Sequence, residues 1–239
     1  MAIIADKQYS LIDYAKQFDP SGQELAIAEV LSKSNDIIGD ALVVESSLDS
    51  GHEYAVRTGI PEGTWRRAYQ GIEPAKATTK VVVESYGTLS AYSVVDKLVA
   101  EKGGNVEGVR TGQSRAIIAG MSNTMAANLI YGNAGKNPER FTGLAARYCE
   151  LSGAESSRNV INAGGQKEGK NSSIYLVVWD TDKIFTFFPK GSKAGIQRLD
   201  HGLVNHIDAS GNEYPAYKEY FEWKLGLAVQ DWRFAGRIC

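Results

Sequence analysis

The feature of this sequence that most constrains its fold is a connection of about twenty residues between two β-rich runs, His52–Thr58 and Thr79–Tyr86. Hairpin loops usually have about two to five residues, and structureless connections beyond about 12–15 residues are uncommon unless they bind something or are disordered. Disorder fits poorly here, because apolar side chains that need burial lie among the turn-forming residues. They are Ile60, Trp65, Tyr69 and Ile72, among Gly59, Pro61, Gly63, Gly71 and Pro74. We therefore predict a long hairpin whose connection docks on a neighbouring molecule.

The composition is that of a globular chain able to bury a large core in one or two units, because 43% of its 239 residues are hydrophobic and 23% are charged. The net charge of −2 excludes the basic surplus needed to bind a phosphate backbone over a whole domain, although local basic patches remain open. Cys149 and Cys239 are too few and too far apart for a disulfide framework, so we expect unpaired thiols and a reducing cytoplasm. Neither a secretion signal nor an apolar run of about 18–20 residues is evident, so neither secretion nor membrane insertion is expected.

Helical signals occur near the start and in the middle of the chain. Ser10–Phe18 is a short amphipathic stretch, and Asp19–Pro20 predicts the start of a second helix, because Asp is a common N-cap and Pro fits the first turn. A further helix is expected over Ser90–Glu101. The strongest pattern predicts a helix over Thr111–Tyr131, about 30 Å long, that ends at Gly132–Asn133 and packs under a sheet as a spine. Its apolar residues recur at helical spacing: Ile117, Ile118, Met121, Met125 and Leu129.

The period changes to two in the last third of the chain, which predicts strands. Ile174–Trp179 and Lys183–Phe188 are apolar runs joined by a turn at Asp180–Asp182, so we expect a β-hairpin. A second turn is expected at Asp208–Asn212, ahead of a strand over Tyr217–Leu225 with one buried face. On that strand Tyr217, Phe221, Trp223 and Leu225 alternate with Lys218, Glu222 and Lys224.

The sequence contains no complete motif for catalysis, nucleotide binding or metal binding. Gly164–Asn171 has the spacing of a phosphate-binding P-loop, but Asn171 replaces the required Ser or Thr and a strand follows instead of a helix, which favours a flexible surface loop. The three histidines lack metal-binding spacing, and Cys149 is expected to be a buried thiol. The two lysines beside glycines in Lys190–Gly195 favour a solvated turn over the alternative of a contact with nucleic acid. We assign no catalytic, cofactor-binding or metal-binding residue and expect no enzyme activity.

The aromatic and basic residues of the long connection are the candidate contact site with another subunit. In the alternative interpretation the connection folds back on its own core, with Trp65 as a plug and the arginines solvated. Docking on a neighbour is favoured, because a loop at the tip of a ribbon has little local core to reach. The candidate residues are Arg57, Trp65, Arg66, Arg67 and Tyr69.

Several segments resemble, in the same order across nearly the whole chain, the major capsid proteins of tailed bacteriophages. They are Val56–Pro61, Thr64–Arg66, Tyr131–Asn133, Pro138–Leu144, Phe188–Gly195 and Asp231–Phe234. The resemblance implies an α+β protein with the Hong Kong 97-like capsid fold. It assigns residues 1–44 to an N-terminal helical arm, 45–89 to the extended loop, 90–135 to a peripheral domain with the spine helix, and 136–239 to a β-rich peripheral and axial region.

The resemblance also implies a function. The chain would self-assemble into hexamers and pentamers of an icosahedral head, enclose double-stranded DNA and contact it at the inner surface without sequence specificity. Its other partners would be scaffold, portal and cement proteins, and it would be made in the bacterial cytoplasm and end in the virion, with no membrane partner. Family members generally continue beyond the strand near Asp231, so we expect a truncated sequence, a completing second polypeptide or a compact variant.

Two alternatives to a capsid subunit stay open at this point. Another ring-forming phage structural protein, such as a tail or connector protein, would also use long hairpin arms. A small nucleotide-binding hydrolase would use Lys170 of the P-loop-like segment.

Overall fold

The computed structural model describes residues 35–59, 61–102, 104–153, 155–164, 172–208 and 210–239, so the two helices expected before Asn35 lie outside the described residues. The described part combines helices and sheets, as expected for an α+β protein. Its α-helices are α1 (Asp36–Asp40), α2 (Lys97–Glu101), α3 (Val106–Tyr131) and α4 (Leu144–Arg147), and short 3₁₀ turns occur at Glu155–Asn159 and Trp232–Phe234. Its strands are β1 (Val43–Glu45), β2 (His52–Gly59), β3 (Thr78–Glu84), β4 (Tyr86–Asp96), β5 (Val160–Ile161), β6 (Ile174–Val177), β7 (Ile184–Phe188), β8 (Gln197–Ile207), β9 (Glu213–Val229) and β10 (Ala235–Ile238).

The chain forms two compact units. Unit 1 contains the described residues up to Gly39, with Thr88–Ala127 and Gly195–Trp223. It includes α2, most of α3, and β8 paired antiparallel with the N-terminal part of β9. Unit 2 contains Asp40–Gly87, Asn128–Ala194 and Lys224–Cys239. It includes the β2–β3 ribbon, the three-stranded sheet β5-β10-β6, and β7 between β1 and the C-terminal part of β9.

The long helix predicted over Thr111–Tyr131 is confirmed, but it begins earlier, at Val106. The Asn105 side chain caps this start, since its Oδ1 accepts a hydrogen bond from the Gly108 N–H at 2.9 Å. An asparagine directly before a helical run is the sequence signal that could have located it. Of the predicted apolar positions, Ile118 is exposed because it lies off the buried face. The buried ones include Met121, Met125 and Leu129.

The helix predicted over Ser90–Glu101 is wrong in its first part. The chain forms the strand β4 up to Asp96, and only Lys97–Glu101 is helical. The Asp96 carboxylate begins that helix by accepting a hydrogen bond from the Leu98 N–H at 2.7 Å. In β4 exposure alternates residue by residue, and Ser93 and Val95 are buried while Tyr92 is exposed. The period of two therefore decides the structure of this segment over its helical composition.

The hairpin predicted from Ile174–Trp179 and Lys183–Phe188 is also wrong, although both runs contain strands. β6 pairs with β10, whereas β7 pairs with β1 on one side and β9 on the other. Residues 184 to 187 of β7 are buried, as expected for a central strand. With both edges of β7 occupied, β6 has no edge of β7 to pair with. The turn itself is present, since the Lys183 N–H donates to the Asp180 carbonyl at 3.2 Å.

The strand predicted over Tyr217–Leu225 is confirmed as part of the longer β9, and the turn before it is confirmed at Asp208–Asn212. In that turn the Asp208 Oδ1 accepts hydrogen bonds from the Ser210 and Asn212 N–H groups at 2.8 Å each. These bonds hold the pKa of Asp208 below its ordinary value, the bond from Asn212 contributing most. The Asp208 turn therefore fixes the register between β8 and β9.

Cys149 is exposed, so the expectation of a buried thiol is wrong. The preceding residue, Tyr148, takes the interior position instead and is only 1% exposed. Its hydroxyl donates a hydrogen bond to the Trp232 carbonyl at 2.8 Å. Cys149 and Cys239 are both unpaired, as expected. The solvated turn expected at Lys190–Gly195 is also observed, with both lysines exposed.

A charged cluster in unit 1 joins α3 to the β8–β9 hairpin around one buried carboxylate. Glu219 is only 2% exposed, and its Oε1 accepts hydrogen bonds from Arg110 at 2.7 Å and Arg198 at 2.8 Å. The Ser114 hydroxyl donates to its Oε2 at 2.5 Å, and Arg110 also bonds Asp200 at 2.6 Å. The two arginines thus neutralise the two carboxylates that they hydrogen-bond, and Glu107 lies 3.8 Å from Arg110 at the exposed edge of the cluster. A buried carboxylate is tolerated only when it is paired and hydrogen-bonded in this way.

The sequence pattern missed Glu219, although a signal for it exists. Glu219 shares the parity of Tyr217 and Phe221, so it lies on the face of β9 that was expected to be apolar. Burial by itself would raise the pKa of Glu219, but the hydrogen bonds from Arg198 and Ser114 and the guanidinium charges hold it below its ordinary value. The hydrogen bond from Arg110 likewise lowers the pKa of Asp200.

Glu219→Gln should lower the free energy of unfolding by about 3 kcal/mol, because two guanidinium groups would lose their anionic partner in a buried site. Glu213→Gln is the matched control, since Glu213 is exposed on the same strand. Urea denaturation of both variants measures the difference. An equal and small effect of the two substitutions would show that the cluster does not stabilise the protein.

The same cluster predicts loss of stability in acid. The lowered pKa values of Asp200 and Glu219 mean that the unfolded chain takes up protons at a higher pH than the folded chain. Their contribution is fully present above the unfolded pKa values of about 4 and is lost as the pH falls through the folded values. Thermal melting between about pH 6 and pH 3 should show a shallower pH dependence in Glu219→Gln than in the unmodified protein. Identical slopes would contradict this assignment.

Candidate intersubunit contact site in the extended loop

The predicted long hairpin is confirmed as an antiparallel ribbon of β2 and β3 joined by residues 60–77. The register pairs His52 with Glu84, Tyr54 with Val82 and Val56 with Lys80, and it shifts between Arg57 and Gly59. Such an irregularity increases the local twist of a ribbon. The ribbon is a separate two-stranded sheet among the described residues, so its stability depends on what its base contacts.

The two faces of the ribbon differ. On one face Tyr54, Val56 and Val82 pack against a buried cluster that contains Phe185 and Phe187. On the other face Val81 and Val83 are more than half exposed. The inner face anchors the ribbon in unit 2, and the outer face remains available for contact.

An ion pair fixes the base of the ribbon. Arg147 binds the Glu84 carboxylate with two hydrogen bonds, of 2.6 and 2.7 Å, and also donates to the Leu227 carbonyl at 3.3 Å. The Tyr54 hydroxyl lies 3.0 Å from both Glu84 Oε1 and the Val229 carbonyl. Burial, and next the negative charge of Glu84, raises the pKa of Tyr54 well above its ordinary value, so its hydroxyl stays a donor. The two parallel hydrogen bonds between Arg147 and Glu84 make this ion pair bidentate, which is the strong kind of charged hydrogen bond.

The far end of the ribbon is fully exposed. Trp65 is 99% exposed, so it does not plug the core of its own chain and that alternative is wrong. A turn closes the end, since the Gln70 N–H donates to the Arg67 carbonyl at 3.2 Å and the Gln70 side chain accepts from the Arg67 N–H at 3.3 Å. Within this turn Tyr69 has a φ of 69°, which is strained for a residue other than glycine, and its side chain is also fully exposed.

The structure separates the five candidate residues into two groups. Trp65, Arg66, Arg67 and Tyr69 lie together at the exposed end, which we call the loop tip. Arg57 lies back on β2, where it lines a groove of about 530 Å³ in unit 2. The sequence did not indicate this groove, because most of its other residues come from distant parts of the chain.

No ligand chemistry emerges elsewhere in the described part of the chain. No group of three or more His, Cys, Asp or Glu residues is arranged to hold a metal ion there. Residues 165–171, which include most of the P-loop-like segment, lie outside the described residues. Among the described helices, none is long and apolar enough to cross a membrane.

The fold is shared with solved capsid structures. A chain of bacteriophage epsilon15 matches with 30% identity and a TM-score of 0.77, covering 100% of this chain and 72% of that one. The capsid of the native GTA particle matches with 10% identity and a TM-score of 0.61, covering 94% and 95%. A chain of Microbacterium phage Oxtober96 matches with 11% identity and a TM-score of 0.54, covering 92% of each chain. The architecture is therefore the Hong Kong 97-like fold of phage capsid subunits.

Sequence comparison narrows this class to a family. Residues 19–239 match the family model described as major capsid protein GP7. The chain belongs to this family of phage major capsid proteins and is a structural protein of the virion. A comparison with curated protein sequences finds no significant match.

Arg147→Ala should loosen the ribbon selectively, because Glu84 would become a poorly solvated carboxylate without its partner. We expect a loss of about 3 kcal/mol, felt first in β2 and β3. Hydrogen exchange followed by mass spectrometry should show faster exchange in Tyr54–Val56 and Val81–Val83 than in the unmodified chain. Arg140→Ala, at an exposed arginine of the same unit, is the control. Unchanged protection of the ribbon in Arg147→Ala would refute the anchoring role.

Proposed function

We propose that this chain assembles into the hexamers and pentamers of an icosahedral phage head that encloses double-stranded DNA. The observation that carries the proposal is the loop tip, where Trp65 and Tyr69 are fully exposed at the end of an anchored ribbon. Large aromatic side chains and arginines are the residues that most often dominate the energetics of protein interfaces. The ribbon thus presents a ready contact surface to an adjacent subunit.

The proposed contact is apolar at its centre and charged around it. Trp65 is the anchor that loses water on docking, and Arg57, Arg66 and Arg67 pair with carboxylates of the neighbour. A strained turn around Tyr69 costs free energy in the single chain, which a partner that needs this conformation offsets. Each such contact is modest, but a shell repeats it many times, and linked contacts add strength without new chemistry.

The remaining parts of the proposal follow from membership of the family. The four segments of the chain act as arm, extended loop, peripheral domain and peripheral–axial region, and scaffold, portal and cement proteins are further partners. The subunit is made in the bacterial cytoplasm and contacts packaged DNA without reading its sequence. In this proposal the subunit acts by associating with other subunits rather than by catalysing a reaction.

Trp65→Ala should leave the subunit folded, because the side chain touches almost nothing in its own chain, yet it should strongly reduce assembly. Negative-stain electron microscopy counts particles, and thermal melting checks the fold. Trp65→Phe is the matched control, since it keeps an apolar ring and should retain most of the assembly.

Normal shells from folded Trp65→Ala would refute the anchor role. The form of the assemblies tests the larger proposal. Closed shells support a head subunit, whereas open tubes or single rings from the unmodified chain would favour a tail or connector protein instead.

A further inference from the structure

A groove beside β2 borders the anchored part of the ribbon and shares Val56 with it. Its volume is about 530 Å³, and one wall is formed by Ala55 to Thr58. The turn from Gln230 to Arg233 forms the opposite side, and Arg158 and Asp182 complete the lining. Trp232 is half-buried and gives the groove an aromatic surface. All of these residues belong to unit 2.

The charges in the groove are of two kinds. Arg233 is held by Asp231 at 2.6 Å, so its charge is already matched. Arg57 and Arg158 are exposed, and neither forms a salt bridge with any described residue. Asp182 is an exposed carboxylate in the same lining. The groove thus offers two available cations, one available anion and an apolar patch.

The loop tip and the two arms beside it together carry the complementary set of groups. Trp65 supplies an exposed ring, and Arg66 and Arg67 supply two cations. Glu62 and Glu73, on the two arms of the connection, supply two exposed carboxylates. Within its own chain the tip does not fill the groove, because Trp65 is 99% exposed.

We propose that this groove is the receptor for the loop tip of a second copy of the chain. Trp65 of one copy packs against Trp232 and the apolar part of β2 in the next, Glu62 and Glu73 pair with Arg57 and Arg158, and the tip arginines face Asp182. This inference rests on the proposed function and names the surface on which the loop docks. The lining carries charges of both signs, which suits a partner of mixed charge such as the loop better than the uniformly negative backbone of nucleic acid.

The two surfaces differ, so the contact is head-to-tail. Each copy offers one tip and one groove, and copies joined in this way form a chain that closes into a ring when the rotation permits. The interaction that holds a ring together is then repeated once per subunit. This symmetry gives the experiment a distinctive readout.

The first test is a charge reversal with rescue. Arg158→Glu should reduce the yield of shells roughly tenfold or more, because like charges would face each other across the contact. Adding Glu73→Arg to the same chain should restore most of the yield, because the pair with residue 158 is re-formed with its charges exchanged. Arg140→Glu, an exposed arginine of unit 2 outside the groove, is the control and should assemble normally.

The second test is cross-linking in assembled particles. Glu73→Cys and Arg158→Cys are combined in a chain whose Cys149 and Cys239 are replaced by serine, and a short bis-maleimide is added. A head-to-tail contact should give a ladder of covalent oligomers that stops at the ring size. Co-assembled single variants should stop at dimers, and a pair made with Arg140→Cys should not cross-link.

The outcomes separate this inference from the proposed function. If Trp65→Ala abolishes assembly but Arg158→Glu does not, the loop docks elsewhere and only the receptor is wrong. If Arg158→Glu prevents assembly and Glu73→Arg does not rescue it, or if normal shells give no ladder, the pairing is wrong. Intact Arg158→Glu shells that retain less DNA would make the groove a nucleic-acid contact and overturn the inference.

Discussion

The bidentate ion pair between Glu84 and Arg147 is the interaction on which the position of the β2–β3 ribbon depends. A two-stranded ribbon is marginally stable by itself in water, so β2 and β3 need an anchor at their base. Arg147 supplies it, with Tyr54 and the aromatic residues Phe185 and Phe187 beneath. The pair holds the ribbon at one end only, which leaves the other end free to present Trp65.

Unit 1 uses the same chemistry for a different purpose. Glu219 lies on a largely apolar face of β9 and Glu84 on the inner face of β3, and in both cases an arginine from a helix neutralises the carboxylate. Replacing such pairs by apolar residues often costs little stability, whereas removing one partner costs much. These ion pairs therefore specify how the elements pack: Arg110 holds α3 against β9 in one register, and Arg147 holds α4 against β3.

The sequence predicted those elements whose own periodicity was clear. The ribbon, the spine helix α3 and the strand β9 follow from local patterns, and the resemblance to capsid proteins predicted how they combine. The predicted β6–β7 hairpin failed because strand pairing depends on partners distant in sequence: β1 and β9 occupy both edges of β7. Likewise Glu219 and the groove around Arg158 arise from residues that only the fold brings together.

The exposed aromatic end of the ribbon would make the proposed contact between subunits sensitive to temperature. Removal of Trp65 and Ile72 from water is driven near room temperature by the entropy of the solvent, and it weakens on cooling. The ion pairs of Glu84 and Glu219 within the subunit do not share this dependence on temperature to the same degree. If the loop tip forms the proposed contact, chilling should weaken the association between subunits before it unfolds the subunits themselves.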